Sequence, residues 1–161
     1  MELWRLYREA HGPGLDGTGG LYTAGRWHLR GSRVVYFGAS ASTVTLERLA
    51  HVGTASLPDD LLLSKYAGEL SVEDVASHDV HDTRDFGETH ACGEAFLKRR
   101  TACVLRVPSV IIPEEYNFVF NPLHGDATKI ELVSTRKFAF DSRLVRGLGD
   151  QGPLSNSRRY S

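Results

Sequence analysis

Arg5, Arg26, Tyr36, Glu47 and Ser109 each lie at or near the end of an apolar run: LWRL, LYTAGRWH, VVYFG, the stretch around Leu46 and Leu49, and VPS. Arginine presents a planar fork of donors that matches phosphate oxygens and keeps its charge when partly buried. Tyrosine offers an aromatic platform with a polar tip. A glutamate beside an apolar stripe can hold a sugar hydroxyl and stabilise a cationic sugar centre, as carboxylates do in glycoside cleavage. Glycines crowd the chain before Arg26, so backbone could come close to an anion there. Taken singly, each residue also fits a plainer part, because charged groups near strand ends are common. Arg5 and Arg26 read equally as surface charges, Tyr36 as core, Glu47 as a partner of His51, and Ser109 as a strand-end residue.

The elements that must position these side chains follow from spacing. Leu3–Tyr7 reads as a strand, and GPGLDGTGG from Gly12 to Gly20 as a loop. Val34–Phe37 is a second strand, and Ser40-Ala41-Ser42 then offers oxygens to cap a helix running from about Thr43 to Val52, with Gly53 placed to stop it. Leu46, Leu49 and Ala50 recur at helical spacing there, and Glu47 sits beside that stripe. Leu61–Tyr66 reads as a strand, residues 72–86 resist assignment, and Glu88–Arg99 reads as a second helix. Val104–Val107, Val110–Ile112, Asn117–Phe120, Ile130–Val133 and Lys137–Phe140 form a series of short strands. The expected fold is α+β: one domain over residues 1–146, with a mixed, mostly antiparallel sheet and a few helices, and a loose Gly/Ser/Arg-rich tail over 147–161.

Composition narrows the function classes. The chain has 161 residues, 41% of them hydrophobic and 24% charged, which suits one globular core. A net charge of -1 removes the broad phosphate attraction of a nucleic-acid binder. Cys92 and Cys103 form no CxxC pair, which fits a reducing cytoplasm, and neither a targeting segment nor an apolar run long enough for a bilayer is visible. Gly12-Pro13-Gly14-Leu15-Asp16-Gly17 is a literal GxGxxG, yet more glycine follows where a dinucleotide fingerprint needs a helix. His78, His81, His90 and Cys92 lack a zinc-site spacing, so no metal is expected. Ser109 lacks a GxSxG elbow.

The ordered set LWRL, GGLYTAGRWH, VVYFGAS with Glu47 and His51 on the following helix, VLRVPSVIIPEEYNFVFNPLH and RKFAFDSRL resembles the RES domain, the toxin half of bacterial RES–Xre toxin–antitoxin pairs. The match runs from about Leu3 to Leu144. This resemblance implies an ADP-ribosyltransferase-like fold and NAD as substrate, degraded by hydrolysis or phosphorolysis in some members and used to ADP-ribosylate a protein in others. It implies that Arg5 and Arg26 hold the pyrophosphate, Tyr36 packs on the nicotinamide or ribose, Glu47 stabilises the reacting ribose, and Ser109 orients the nicotinamide end. Glu47, Arg26 and Ser109 are thus the implied catalytic set. It further implies an Xre-like helix-turn-helix antitoxin that covers the site in a toxin–antitoxin complex, with DNA reached only through that partner and no membrane involved. His28 stands where many members carry asparagine. A non-catalytic binding module and a toxin acting on RNA are the competing classes; near-neutral charge counts against RNA, and intact Arg26 and Glu47 count against a dead enzyme.

Overall fold

Residues 1–52, 57–76 and 79–145 are described by a computed structural model, and their apolar runs become the strands of one sheet. In chain order the elements are β1 (Glu2–Arg8), β2 (Val35–Gly38), α1 (Ala41–Val52), β3 (Leu61–Ala67), β4 (Val72–Asp74), α2 (Phe86–Arg99), β5 (Val104–Pro108), β6 (Tyr116–Phe120), β7 (Glu131–Phe138) and α3 (Ser142–Val145). The sheet order is β4-β5-β6-β2-β1-β3-β7. Every neighbouring pair is antiparallel except β4 with β5, so the expected mixed, mostly antiparallel α+β domain is what forms. Among the described residues no helix is long and apolar enough to cross a membrane.

Strand alternation divides the core between the two sheet faces. Leu105, Val107 and Val119 join Phe96 and Leu97 of α2 and Trp27 in one cluster. The intervening Val104, Phe118 and Phe120 join Leu3, Val35, Phe37 and Tyr66 in the other. The helix starts follow side-chain caps: the Ser40 hydroxyl accepts the Thr43 N–H at 3.1 Å, and Asp85 accepts from Gly87 N–H at 2.7 Å. Both helices therefore begin two residues earlier than periodicity alone suggests.

Two expectations are corrected. Val110–Ile112 is not a strand, because the Ser109 hydroxyl accepts from the N–H groups of Ile111 at 3.1 Å and Ile112 at 3.2 Å, turning the chain between Pro108 and Pro113. The two strands expected at Ile130–Val133 and Lys137–Phe140 are one strand, β7, since Ser134 and Thr135 pair with Lys65 and Ser64 between them, the register shifting only between Lys65 and Tyr66, where Val133 is left unpaired. The unassigned stretch after Ser71 contributes β4, whose Val72 lies opposite Val104. Gly53, His78 and the tail over 147–161 lie outside the described residues.

Candidate active site

β1, the loop before β2, β2 itself, α1 and the facing ends of β5 and β6 enclose a cleft of about 480 Å³. Arg5, Arg26, Tyr36 and Glu47 all line it. Register explains the convergence: Gly38 and Val107 both lie opposite Asn117, so the end of β2, which leads into α1, is held close to the end of β5.

Glu47 is the best-held group. Its Oε1 accepts from Ser109 Oγ at 2.8 Å and from Asn117 Nδ2 at 2.6 Å, which fixes the carboxylate on the cleft wall. It does not pair with His51. Ser109 is only 2% exposed, and its hydroxyl proton goes to Glu47 while its oxygen accepts the two backbone N–H groups of the following turn. The structure thus brings Ser109 to the site behind Glu47 instead of into the cleft. Asn117, which also lines the cleft, had no distinguishing mark in the sequence beyond its place at the start of the apolar run NFVF.

The arginines are seated by carbonyls and rings. Arg5 Nη1 donates to the Pro13 carbonyl, and its guanidinium carbon lies 5.6 Å from the Tyr7 ring centre and 6.0 Å from that of Phe37. Burial pulls its pKa below the ordinary arginine value, an effect opposed by Tyr66, Tyr7 and Asp16; the group stays charged all the same. Arg26 Nη1 donates to the Thr83 carbonyl at 2.9 Å, with its guanidinium 4.6 Å from the Phe86 ring centre.

Tyr36 belongs to a relay whose directions can be worked out. His28 Nε2 lies 3.0 Å from the Thr23 carbonyl, which can only accept, so Nε2 carries the proton. Nδ1 is then the acceptor of the Tyr36 hydroxyl at 2.7 Å, and the Tyr36 oxygen accepts the Trp27 N–H at 3.1 Å. Burial pushes the Tyr36 phenol far above its usual pKa and draws His28 below its own, so both stay neutral near pH 7. Gly25 gains a reason the sequence did not offer: a Cβ there would lie 2.7 Å from His28 Cε1 and 2.9 Å from Tyr36 Oη. Trp27 is buried in the core, and Gly19 and Gly20 line the cleft as its glycine rim. After Gly17 comes a 3-10 turn, Thr18–Leu21, and no phosphate-binding helix.

A larger cleft of about 710 Å³ adjoins this one and shares Pro108 and Val110 with it. Its arginines are neutralised in place: Arg106 Nη2 donates to Asp74 Oδ2 at 2.9 Å and Arg84 Nε to Asp82 Oδ1 at 3.0 Å. Among the described residues, arginines without an ion-pair partner and an oriented carboxylate occur together in the smaller cleft, which is therefore the candidate active site.

Fold and site together define a single α+β domain built round an arginine–glutamate cleft. The RES domain family model matches residues 2–141. A Sphingobium sp. protein named Prs ADP-ribosylating toxin is 32% identical over 159 residues, spanning 89% of this chain and 96% of its own. A Pseudomonas putida protein named Toxin Res is 34% identical over 150 residues, covering 89% and 99%. The chain belongs to the RES domain family, the toxin half of bacterial toxin–antitoxin pairs. The toxin in the crystal structure of the M. tuberculosis MbcT–MbcA toxin–antitoxin complex has the same fold, with a TM-score of 0.68 at 18% identity over 91% of this chain and 87% of that one.

Proposed function

We propose that this toxin arrests growth by cleaving the nicotinamide–ribose bond of NAD, by hydrolysis or phosphorolysis. The observation that carries the reading is Glu47, held by Ser109 and Asn117 on the wall of a cleft that also presents Arg5, Arg26 and Tyr36. Nicotinamide leaves as a neutral ring from a cationic one, so the step needs no acid; it needs stabilisation of the oxocarbenium-like ribose that develops. Glu47 supplies that negative charge through the ribose hydroxyls. Arg5 and Arg26 hold the pyrophosphate with whichever donors their carbonyl partners leave free. Tyr36, neutral and tied to Trp27 and His28, gives a fixed flat surface for the nicotinamide or ribose. Ser109 acts through Glu47, orienting the carboxylate. No step calls for a metal.

The second reading, ADP-ribosyl transfer to one protein, is favoured by the name of the Sphingobium relative. In both readings NAD is substrate, the site is cytoplasmic, and the partner is an Xre-like helix-turn-helix antitoxin through which alone the pair touches DNA; the toxin–antitoxin complex of the fold relative supports an antitoxin partner. Purified protein incubated with NAD alone separates the two. Rapid nicotinamide release without an acceptor supports NAD degradation, and added phosphate diverts the product to ADP-ribose-1-phosphate if the route is phosphorolysis. Label on one protein band with little bulk loss supports transfer. Glu47→Ala should lower nicotinamide release about 100-fold or more, the scale on which preorganised electrostatic groups act; release at the parent rate would overturn the role given to Glu47.

A further inference from the structure

Val44, Glu47, Arg48 and His51 recur at the i, i+3, i+4, i+7 spacing that an amphipathic helix turns inward, and all four line the cleft. A stripe that would be apolar in a helix serving only as packing is polar at three of its four places. Glu47 is engaged by Ser109 and Asn117. Arg48 differs: its Nε is buried with no hydrogen-bond partner, and among the described residues its side chain forms no hydrogen bond or ion pair. A buried donor left unmade is costly, and one in a native structure calls for an explanation, which a functional role or a bound anion supplies.

The charges agree. Arg5, Arg26 and Arg48 face a single acidic side chain, Glu47, so the cleft holds a surplus of two positive charges among its arginines and carboxylates. A dinucleotide pyrophosphate carries two negative ones. Arg5 and Arg26 each give a donor to a backbone carbonyl, whereas Arg48 has its donors in hand. We propose that Arg48 is a third anion-holding side chain, whose buried Nε–H and adjacent guanidinium donors bind a phosphate oxygen of the dinucleotide.

This inference rests on the NAD reading, and the experiment tells their failures apart. Arg48→Gln and Arg48→Lys are compared with the parent and with a variant of the exposed Arg30, Arg30→Gln. Steady-state NAD cleavage is measured with ADP and, separately, nicotinamide as inhibitors, and ADP binding is measured by calorimetry. Arg48→Gln should raise KM for NAD and weaken ADP about tenfold, the factor equivalent to about 1.4 kcal/mol. Inhibition by nicotinamide should hold its parent value, Arg48→Lys should recover part of the ADP affinity, and Arg30→Gln should match the parent. Unchanged ADP affinity in Arg48→Gln, with the parent binding ADP and consuming NAD, overturns the inference and leaves the NAD reading intact. Equal weakening of ADP and nicotinamide overturns it too, since that marks a general distortion of the cleft. A parent that neither binds ADP nor consumes NAD overturns both.

Discussion

At the scale of single residues, the site depends on groups whose hydrogen-bonding capacity is already spoken for. Ser109 has one proton, given to Glu47, and Tyr36 has one, given to His28. Each therefore fixes a neighbour instead of adapting to a ligand, which is the condition for preorganised electrostatics. His28 makes this testable through pH. Its folded pKa is lowered by burial, so between the ordinary histidine value of about 6.5 and the lower folded value the unfolded chain binds a proton that the folded chain refuses. The His28 contribution to stability is fully present above about pH 6.5 and is lost as pH falls below it. Thermal denaturation of the parent at pH 7 and pH 5.5 should show that loss, and His28→Asn should show a smaller difference between the two. An identical difference in both proteins would remove His28 as its source.

At the scale of elements, the contact between α2 and the loop carrying Arg26 governs the cleft. Gly93 lies against Trp27, so a Cβ at Gly93 would stand 1.9 Å from the Trp27 carbonyl oxygen and 2.8 Å from its carbon. Backbone cannot yield there as a flexible side chain would. Trp27 also donates its N–H to Tyr36, and His90 of α2 holds the Gly25 carbonyl at 2.8 Å, so a shift of the helix is a shift of the site. Alanine favours a helix over glycine by about 1 kcal/mol, but the clash should outweigh it. Gly93→Ala is expected to destabilise by about 1–3 kcal/mol in denaturant unfolding and to lower NAD cleavage. Gly125→Ala, where a Cβ meets nothing within 4 Å, is the control expected to stay near the parent. A Gly93→Ala protein as stable and active as the parent would show that α2 can move without cost.

At the scale of the whole molecule, the cleft lies where β1, β2 and α1 meet the ends of β5 and β6, and two exposed rings adjoin residues that line it: Phe86, against Arg26, and Tyr22, next to Thr23 in the chain. An antitoxin that inserts a segment into the cleft would bury these rings together with the arginine charges. If the toxin degrades NAD as proposed, co-expression with a cognate antitoxin is therefore expected to abolish NAD loss in cells, and the purified complex should cleave NAD at a small fraction of the free toxin's rate. Full NAD cleavage by the intact complex would mean that inhibition works elsewhere than at this cleft.

What the sequence determined by itself was local or ordered along the chain. The strands at β1, β2, β3, β5 and β6, both long helices and the Ser40 cap follow from alternation, 3.6-residue spacing and capping chemistry, which act within a few residues. Arg5, Arg26, Tyr36 and Glu47 could be singled out because polar groups at the ends of apolar runs, taken in order, resemble the RES domain. The tertiary structure decided everything that depends on register across the sheet. It turned Val110–Ile112 out of a strand, because one serine hydroxyl satisfied two backbone donors there. It joined two short segments into β7 because β3 supplied a continuous partner. It brought Asn117, 70 residues away, onto Glu47. It also left Arg48 in the cleft with a buried donor unpaired, a fact invisible in sequence because an arginine's partners, or lack of them, are set by what packs around it in space.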